Sequence, residues 1–140
     1  MLEAQSVPCA SLVPCLNALP SGWSFGSLYV RSGSSVLSLN SDRAGLNAVR
    51  ATLRTSCNTS GADEIPSDEP GARRWEKIDS LPPSYSGSRY YVFDGGCVDY
   101  RLSFSDDGSA ALANDVSLAL GFYERAQLEE RVKRTTGLTL

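Results

Sequence analysis

The segment from Arg89 to Phe104, Arg-Tyr-Tyr-Val-Phe-Asp-Gly-Gly-Cys-Val-Asp-Tyr-Arg-Leu-Ser-Phe, limits the possible folds more than any other stretch of the chain. Two runs rich in aromatic and β-branched residues flank Asp94-Gly95-Gly96, where glycine supplies the positive φ angles of a tight hairpin turn. Tyr90 and Val92 on one arm, with Val98, Tyr100, Leu102 and Phe104 on the other, make one apolar face, while Asp99 and Arg101 point the other way.

Strand patterning recurs upstream. Trp23 to Val30 reads as a strand with apolar groups on both faces, and Arg31-Ser32-Gly33-Ser34 turns it into Val36-Leu37-Ser38-Leu39. Val49, Ala51, Leu53, Thr55 and Cys57 alternate with Arg50, Thr52, Arg54 and Ser56, which predicts a half-buried strand; a helix over residues 44–53 competes with it. Trp75 to Ile78 reads as a further short strand. Residues 58–72 read as an acidic surface loop carrying the sequon Asn58-Thr59-Ser60, and residues 81–88 as a Pro, Ser and Gly connection.

After Ser105-Asp106-Asp107-Gly108 the period becomes helical. Ala111, Leu112, Val116, Ala119 and Leu120 fall on one stripe that Gly121 ends, and a second helix runs from about Arg125 to Arg134, burying Leu128 and Val132. At the other end, Pro8, Pro14 and Pro20 punctuate residues 1–22, a Pro-rich lead in which a short helix is expected from about Pro14 to Leu19. The whole reads as one α+β domain over residues 23–140 behind that lead. Its mainly antiparallel sheet has four to six strands, with the C-terminal helices packed on one face. Leu112, Val116, Leu120, Leu128 and Val132 are expected to bury against Val98, Tyr100, Leu102 and Phe104.

The chain contains no histidine. That excludes Ser-His and Cys-His catalysis, histidine bases and most zinc sites. Its 13 Lys and Arg against 16 Asp and Glu argue against nucleic acid as the main partner. No Gly-x-Ser-x-Gly, Ser-x-x-Lys, Gly-x-Gly-x-x-Gly or Walker pattern occurs. Neither a metal nor a cofactor is expected, and no residue is put forward as catalytic.

Cys9, Cys15, Cys57 and Cys97 lie 6, 42 and 40 residues apart, unlike zinc-ribbon ligands. Two disulfides in an oxidising compartment are the preferred reading, with buried thiols in a cytosolic module the alternative. Four cysteines permit three pairings; the preferred one joins Cys15 to Cys57 and Cys9 to Cys97. Met1 to Gln5 lacks the basic and apolar regions of a signal peptide. The disulfide reading therefore expects a targeting or anchoring segment outside this chain, and membrane contact only through it.

Residues Leu12 to Trp23, Tyr90 to Arg101 and Ala119 to Phe122 resemble the extracytoplasmic domains of membrane-anchored proteins from actinobacteria, a group without an assigned activity. The resemblance implies an outside location and a disulfide state, and transfers no site.

Among chemistry-bearing residues, Asp94, Asp99, Asp106 and Asp107 could supply carboxylates, although Asp-Gly is ordinary turn chemistry and no calcium-loop spacing is present. Arg50 and Arg54, with Arg73-Arg74, could meet an anionic lipid or polymer, or simply form a solvated surface. Aromatic residues on the sheet face opposite the helices could line a groove, or merely pack across strands. The candidate binding residues are thus Trp23, Tyr29, Trp75, Tyr91, Asp94 and Asp99. The leading expectation is a non-enzymatic extracytoplasmic domain that binds a protein or a cell-envelope component. The alternatives are a hydrolase of an envelope glycan working with Asp94 or Asp99, and a cytosolic structural module.

Overall fold

The computed structural model describes residues 6–16, 18–81, 85–104 and 109–136. Among these residues the elements run in the order β1 (Leu12–Leu16), β2 (Trp23–Arg31), β3 (Ser34–Ser41), β4 (Gly45–Arg54), β5 (Asp63–Ile65), β6 (Arg73–Ser80), β7 (Tyr85–Phe93), β8 (Gly96–Phe104), α1 (Ser109–Ala119), β9 (Leu120–Glu124) and α2 (Arg125–Thr136). Seven strands make one sheet in the order β2-β3-β4-β8-β7-β6-β5, and β1 pairs with β9 in a second sheet; all pairings are antiparallel. The larger sheet is two meanders, β2-β3-β4 and β5-β6-β7-β8, joined where β4 lies beside β8.

The expected α+β class, with four to six strands, is therefore corrected. The domain is mostly antiparallel sheet, with two short helices among the described residues after β8. Three strands escaped the sequence reading for the same reason: each owes its conformation to a distant partner. β5 is three residues in an acidic loop, pairing with β6. β9 follows α1 directly and pairs with β1 more than 100 residues earlier in the chain. β1 replaces the helix expected from Pro14 to Leu19. In a two-stranded sheet each strand keeps one free edge, so Pro14, opposite Phe122, can sit without breaking a ladder. β7 also starts at Tyr85, inside the expected connection over residues 81–88.

Between β7 and β8 the register pairs Phe93 with Gly96, and Gly95 takes a φ of 76° in the turn. A Cβ at Gly95 would collide with the Cys9 carbonyl, so the lead passes directly over this turn. The lead is held by backbone bonds from Ser11 N to Asp94 O, from Gly33 N to Ser6 O and from Arg125 N to Ser11 O, each 2.8 Å.

One face of the large sheet is apolar. Leu37, Leu39, Val49, Ala51, Leu53, Val98, Tyr100, Leu102 and Phe104 alternate onto it and form the core with Leu112, Val116, Ala119 and Leu120. Burial of each such Val or Leu side chain contributes about 1.5–3 kcal/mol. Helix α1 is pinned there by two polar contacts, Trp23 Nε1 donating to Asp115 at 3.1 Å and Arg89 Nη1 donating to Ser117 Oγ at 2.9 Å. By contrast α2 is largely exposed, with Leu128 only half-buried; the Val132 side chain, Asp106 and Asp107 lie outside the described residues. Thus α1 supplies the helical part of the core and the expectation of two packed helices is reduced to one.

The cysteine pairing is also corrected. Cys57 bonds to Cys97, with a Cα separation of 6.1 Å, in place of Cys15–Cys57 and Cys9–Cys97. The reason is register. Cys97 stands opposite Arg54 in the β4–β8 ladder, so the chain leaving β4 passes beside it. Cys9 is exposed, and the Cys15 thiol lies 3.7 Å from the Val13 carbonyl.

Candidate cationic and aromatic sheet face

Successive side chains of a strand point to opposite faces, so the sheet that buries Val49, Ala51 and Leu53 must present Arg50, Thr52 and Arg54 on its other side. The pairings align these alternate residues across the sheet. Tyr29 lies opposite Val36, Val36 opposite Thr52, Thr52 opposite Asp99, Asp99 opposite Tyr90 and Tyr90 opposite Trp75. This row crosses six strands, about 24 Å at the usual strand spacing.

A row of cations lies on each side of it. Arg31, Arg54 and Arg73 fall two residues to one side along β2, β4 and β6, and Arg50, Arg101 and Lys77 fall two residues to the other along β4, β8 and β6. Arg50 and Arg101 are direct cross-strand partners, a like-charge juxtaposition that costs stability unless something anionic sits over it. Arg73 is held by Glu64 through bonds of 2.7 and 2.8 Å, and its guanidinium lies 4.8 Å from the Trp75 ring centroid. Lys77 lies 3.6 Å from Asp79.

At the centre, Val36, Arg50, Thr52, Arg54, Asp99 and Arg101 line an open pocket of about 260 Å³. Asp99 forms its floor and is only 6% exposed, because the long arginines beside it shut out water. Burial raises its carboxyl above the ordinary aspartate value, and the guanidiniums of Arg101 and Arg54, each 4.0 Å from Oδ2, offset only part of that. Its other oxygen, Oδ1, is buried and accepts no hydrogen bond among the described residues.

The six candidate binding residues are thus divided. Tyr29, Trp75 and Asp99 share the row. Trp23 belongs to the core, as the Asp115 contact shows. Tyr91 faces inward, 2% exposed, and donates to Asp68 at 2.8 Å; burial, and then that bond, hold its phenol well above its usual value. Burial alone would raise Asp68, yet the Tyr91 bond and the Arg74 and Arg89 charges leave it lowered. Asp94, in the β7–β8 turn, lines a different cavity of about 540 Å³ with Ser11, Glu124, Arg125 and Glu129. Asp94 and Asp99 consequently do not share a cleft as a carboxylate pair.

The Arg73-Arg74 pair is split as well. Arg73 joins the open face, whereas Arg74 turns inward to Glu76 and, at 3.1 Å, to Asp68. Arg31, Lys77 and Arg101 were missed as site residues, and Tyr90 and Val92, expected on the apolar face with Val98 and Tyr100, lie on the opposite one, because the hairpin register sets Tyr90 opposite Asp99 and Tyr91 opposite Val98. Their alternation was visible in the sequence, but nothing in it tells which strands stand side by side.

Among the described residues no group of three or more Cys, Asp or Glu side chains could hold a metal, and no helix is long and apolar enough to cross a membrane. The fold and this face define an antiparallel β-sheet domain with one cationic, aromatic surface. Its disulfide fits a secreted or otherwise extracytoplasmic protein. Comparison with protein-family models, with curated proteins and with solved structures found no match.

Proposed function

We propose that this chain is a non-enzymatic binding domain that works outside the cytoplasm, tethered to a membrane by a segment outside the chain, and captures a cell-envelope component on the open face of its large sheet. The observation that carries this reading is the register that places Tyr29, Thr52, Asp99, Tyr90 and Trp75 in one row between two rows of cations. Binding needs such a surface and no titrating base. The disulfide supports an oxidising location, and the three sequence stretches support the tethered arrangement.

The test is co-sedimentation of the purified chain with isolated bacterial cell-wall sacculi. The wild-type chain is expected in the pellet, and the double variant Arg50→Glu/Arg101→Glu in the supernatant with an unchanged circular dichroism spectrum. A wild-type chain that stays in solution, or a variant that sediments equally well, overturns the reading.

A further inference from the structure

The open face is chemically more specific than a generic sticky surface. Of the 13 cations in the chain it holds six, Arg31, Arg50, Arg54, Arg73, Lys77 and Arg101, whereas of the 13 acids among the described residues it holds Glu64, Asp79 and Asp99. A chain of net charge −3 therefore concentrates its positive charge on one surface. Glu64 and Asp79 are engaged with Arg73 and Lys77, and Asp99, 4.0 Å from both Arg54 and Arg101, is the single acid lining the central pocket with three arginines, which leaves an excess of positive charge there.

Three requirements on a ligand follow from the side chains. The facing Arg50 and Arg101 call for anionic groups, and planar guanidinium suits carboxylate or phosphate oxygens through paired hydrogen bonds. Asp99 lines the pocket, and its buried Oδ1, which has no donor among the described residues, would be satisfied by a hydroxyl admitted when the flanking arginine side chains turn outward to an anion. Tyr90 and Trp75, adjacent in the row and half-buried, offer ring faces for a flat, partly apolar group. A protein segment seldom combines dense negative charge with many hydroxyls, single-stranded DNA brings charge and stacking without ribose 2′-hydroxyls, and RNA, which has all three, does not suit the oxidising location that the disulfide supports. A sugar polymer bearing carboxylates supplies all three.

We infer that the open face binds an acidic polysaccharide laid across the strands along the Tyr29–Trp75 row, its anionic groups on the flanking arginines and a sugar hydroxyl donating to Asp99. This rests on the proposed binding function and names its ligand class. The polymer crosses the strands because the cations form two rows parallel to that path, about 13 Å apart from Arg50 to Arg54 at the usual rise per residue. Charge-driven contact of this kind is weakened by salt.

The experiment is calorimetric titration of the purified chain with polygalacturonate, with neutral dextran and with poly(dT). Polygalacturonate is expected to bind, dextran to give no heat, and poly(dT) to bind at least about tenfold more weakly. Arg50→Glu/Arg101→Glu, and separately Arg54→Glu, are expected to weaken polygalacturonate binding by about tenfold or more. If polygalacturonate fails to bind while sedimentation with sacculi persists and depends on Arg50 and Arg101, the ligand class is wrong and the binding function stands. Poly(dT) binding as tightly as polygalacturonate overturns the acidic-sugar assignment in favour of a nucleic-acid surface. Equal affinity of the folded variants overturns the placement on this face.

Discussion

Arg125 donates from Nε to the Ala10 carbonyl at 2.6 Å and from Nη2 to the Val7 carbonyl at 2.8 Å, so one guanidinium at the start of the last helix holds the beginning of the described chain. The two segments are joined further by the β1–β9 ladder, with Leu12 opposite Glu124. The closure of the domain thus depends on a side chain that no motif would single out. Arg125→Ala is expected to destabilise by about 1–3 kcal/mol, the range for hydrogen bonds from charged donors. Hydrogen exchange should show the amides of β1 and β9 opening first; equal protection in both proteins would disprove the staple.

Gly95 is a second closure point. It has a φ of 76° and lies against the Cys9 carbonyl. Gly95→Ala adds a Cβ in a backbone region that L residues avoid and in space already filled, so a loss of about 2 kcal/mol or more is expected in chemical denaturation. The glycine of the β2–β3 turn is a control. Gly33 has a φ of 89° but nothing within 4 Å of an added Cβ, so Gly33→Ala should cost less.

The Cys57–Cys97 bond closes a loop with a sequence separation of 40 residues. Chain-entropy arguments give about 4 kcal/mol for a crosslink of that span, and reduction should lower the melting temperature by about 10 °C. Unreduced protein unfolded in denaturant should titrate two thiols, and reduced protein four. A peptide map joining Cys15 to Cys57 would refute the pairing.

Asp99 makes stability depend on pH. Its carboxyl is raised above the ordinary value of 3.8, so the folded chain holds this proton more tightly than the unfolded chain does. As pH rises from the ordinary value through the raised one, the unfolded state ionises first and the contribution of this group to stability falls. Above the raised value that loss is complete. Asp99→Asn removes the ionisation and should flatten that part of the profile, being the more stable protein at neutral pH. A variant whose stability tracks wild type at every pH would refute the assignment.

Tyr100 buries a hydroxyl that has no hydrogen-bond partner among the described residues, inside a cluster with Tyr91 and Phe122. Tyr100→Phe keeps the ring contacts and removes the unsatisfied group, so it should stabilise by about 1 kcal/mol. A destabilised variant would show that the hydroxyl is bonded.

Much of the large sheet was legible because period two is a local property. The alternation in β4 and the Asp-Gly-Gly turn between β7 and β8 need no partner to be recognised, and the apolar sides of β8 and α1 coincide with the buried residues Val98, Tyr100, Leu102, Phe104, Leu112, Val116 and Leu120. The candidate site was legible only in fragments. Arg50, Arg54, Arg73, Trp75 and Asp99 are each visible as polar or aromatic positions on a strand. Trp23 and Tyr91 carry the same composition signal, yet their rings are buried in the core, with the indole bonded to Asp115 and the phenol to Asp68.

The amino-acid sequence by itself determined which residues alternate, where glycine turns the chain, and that histidine chemistry is excluded. Those outcomes depend on neighbours within a few positions, whose steric and hydrophobic preferences act regardless of the rest of the chain. Only the tertiary structure decided that β4 lies beside β8, that Cys97 meets Cys57, that Pro14 sits in a strand and that six cations from four strands share one face. Each of these joins segments distant in sequence, where the closing entropy of the intervening chain is recovered only when many contacts form together. No local pattern carries that information.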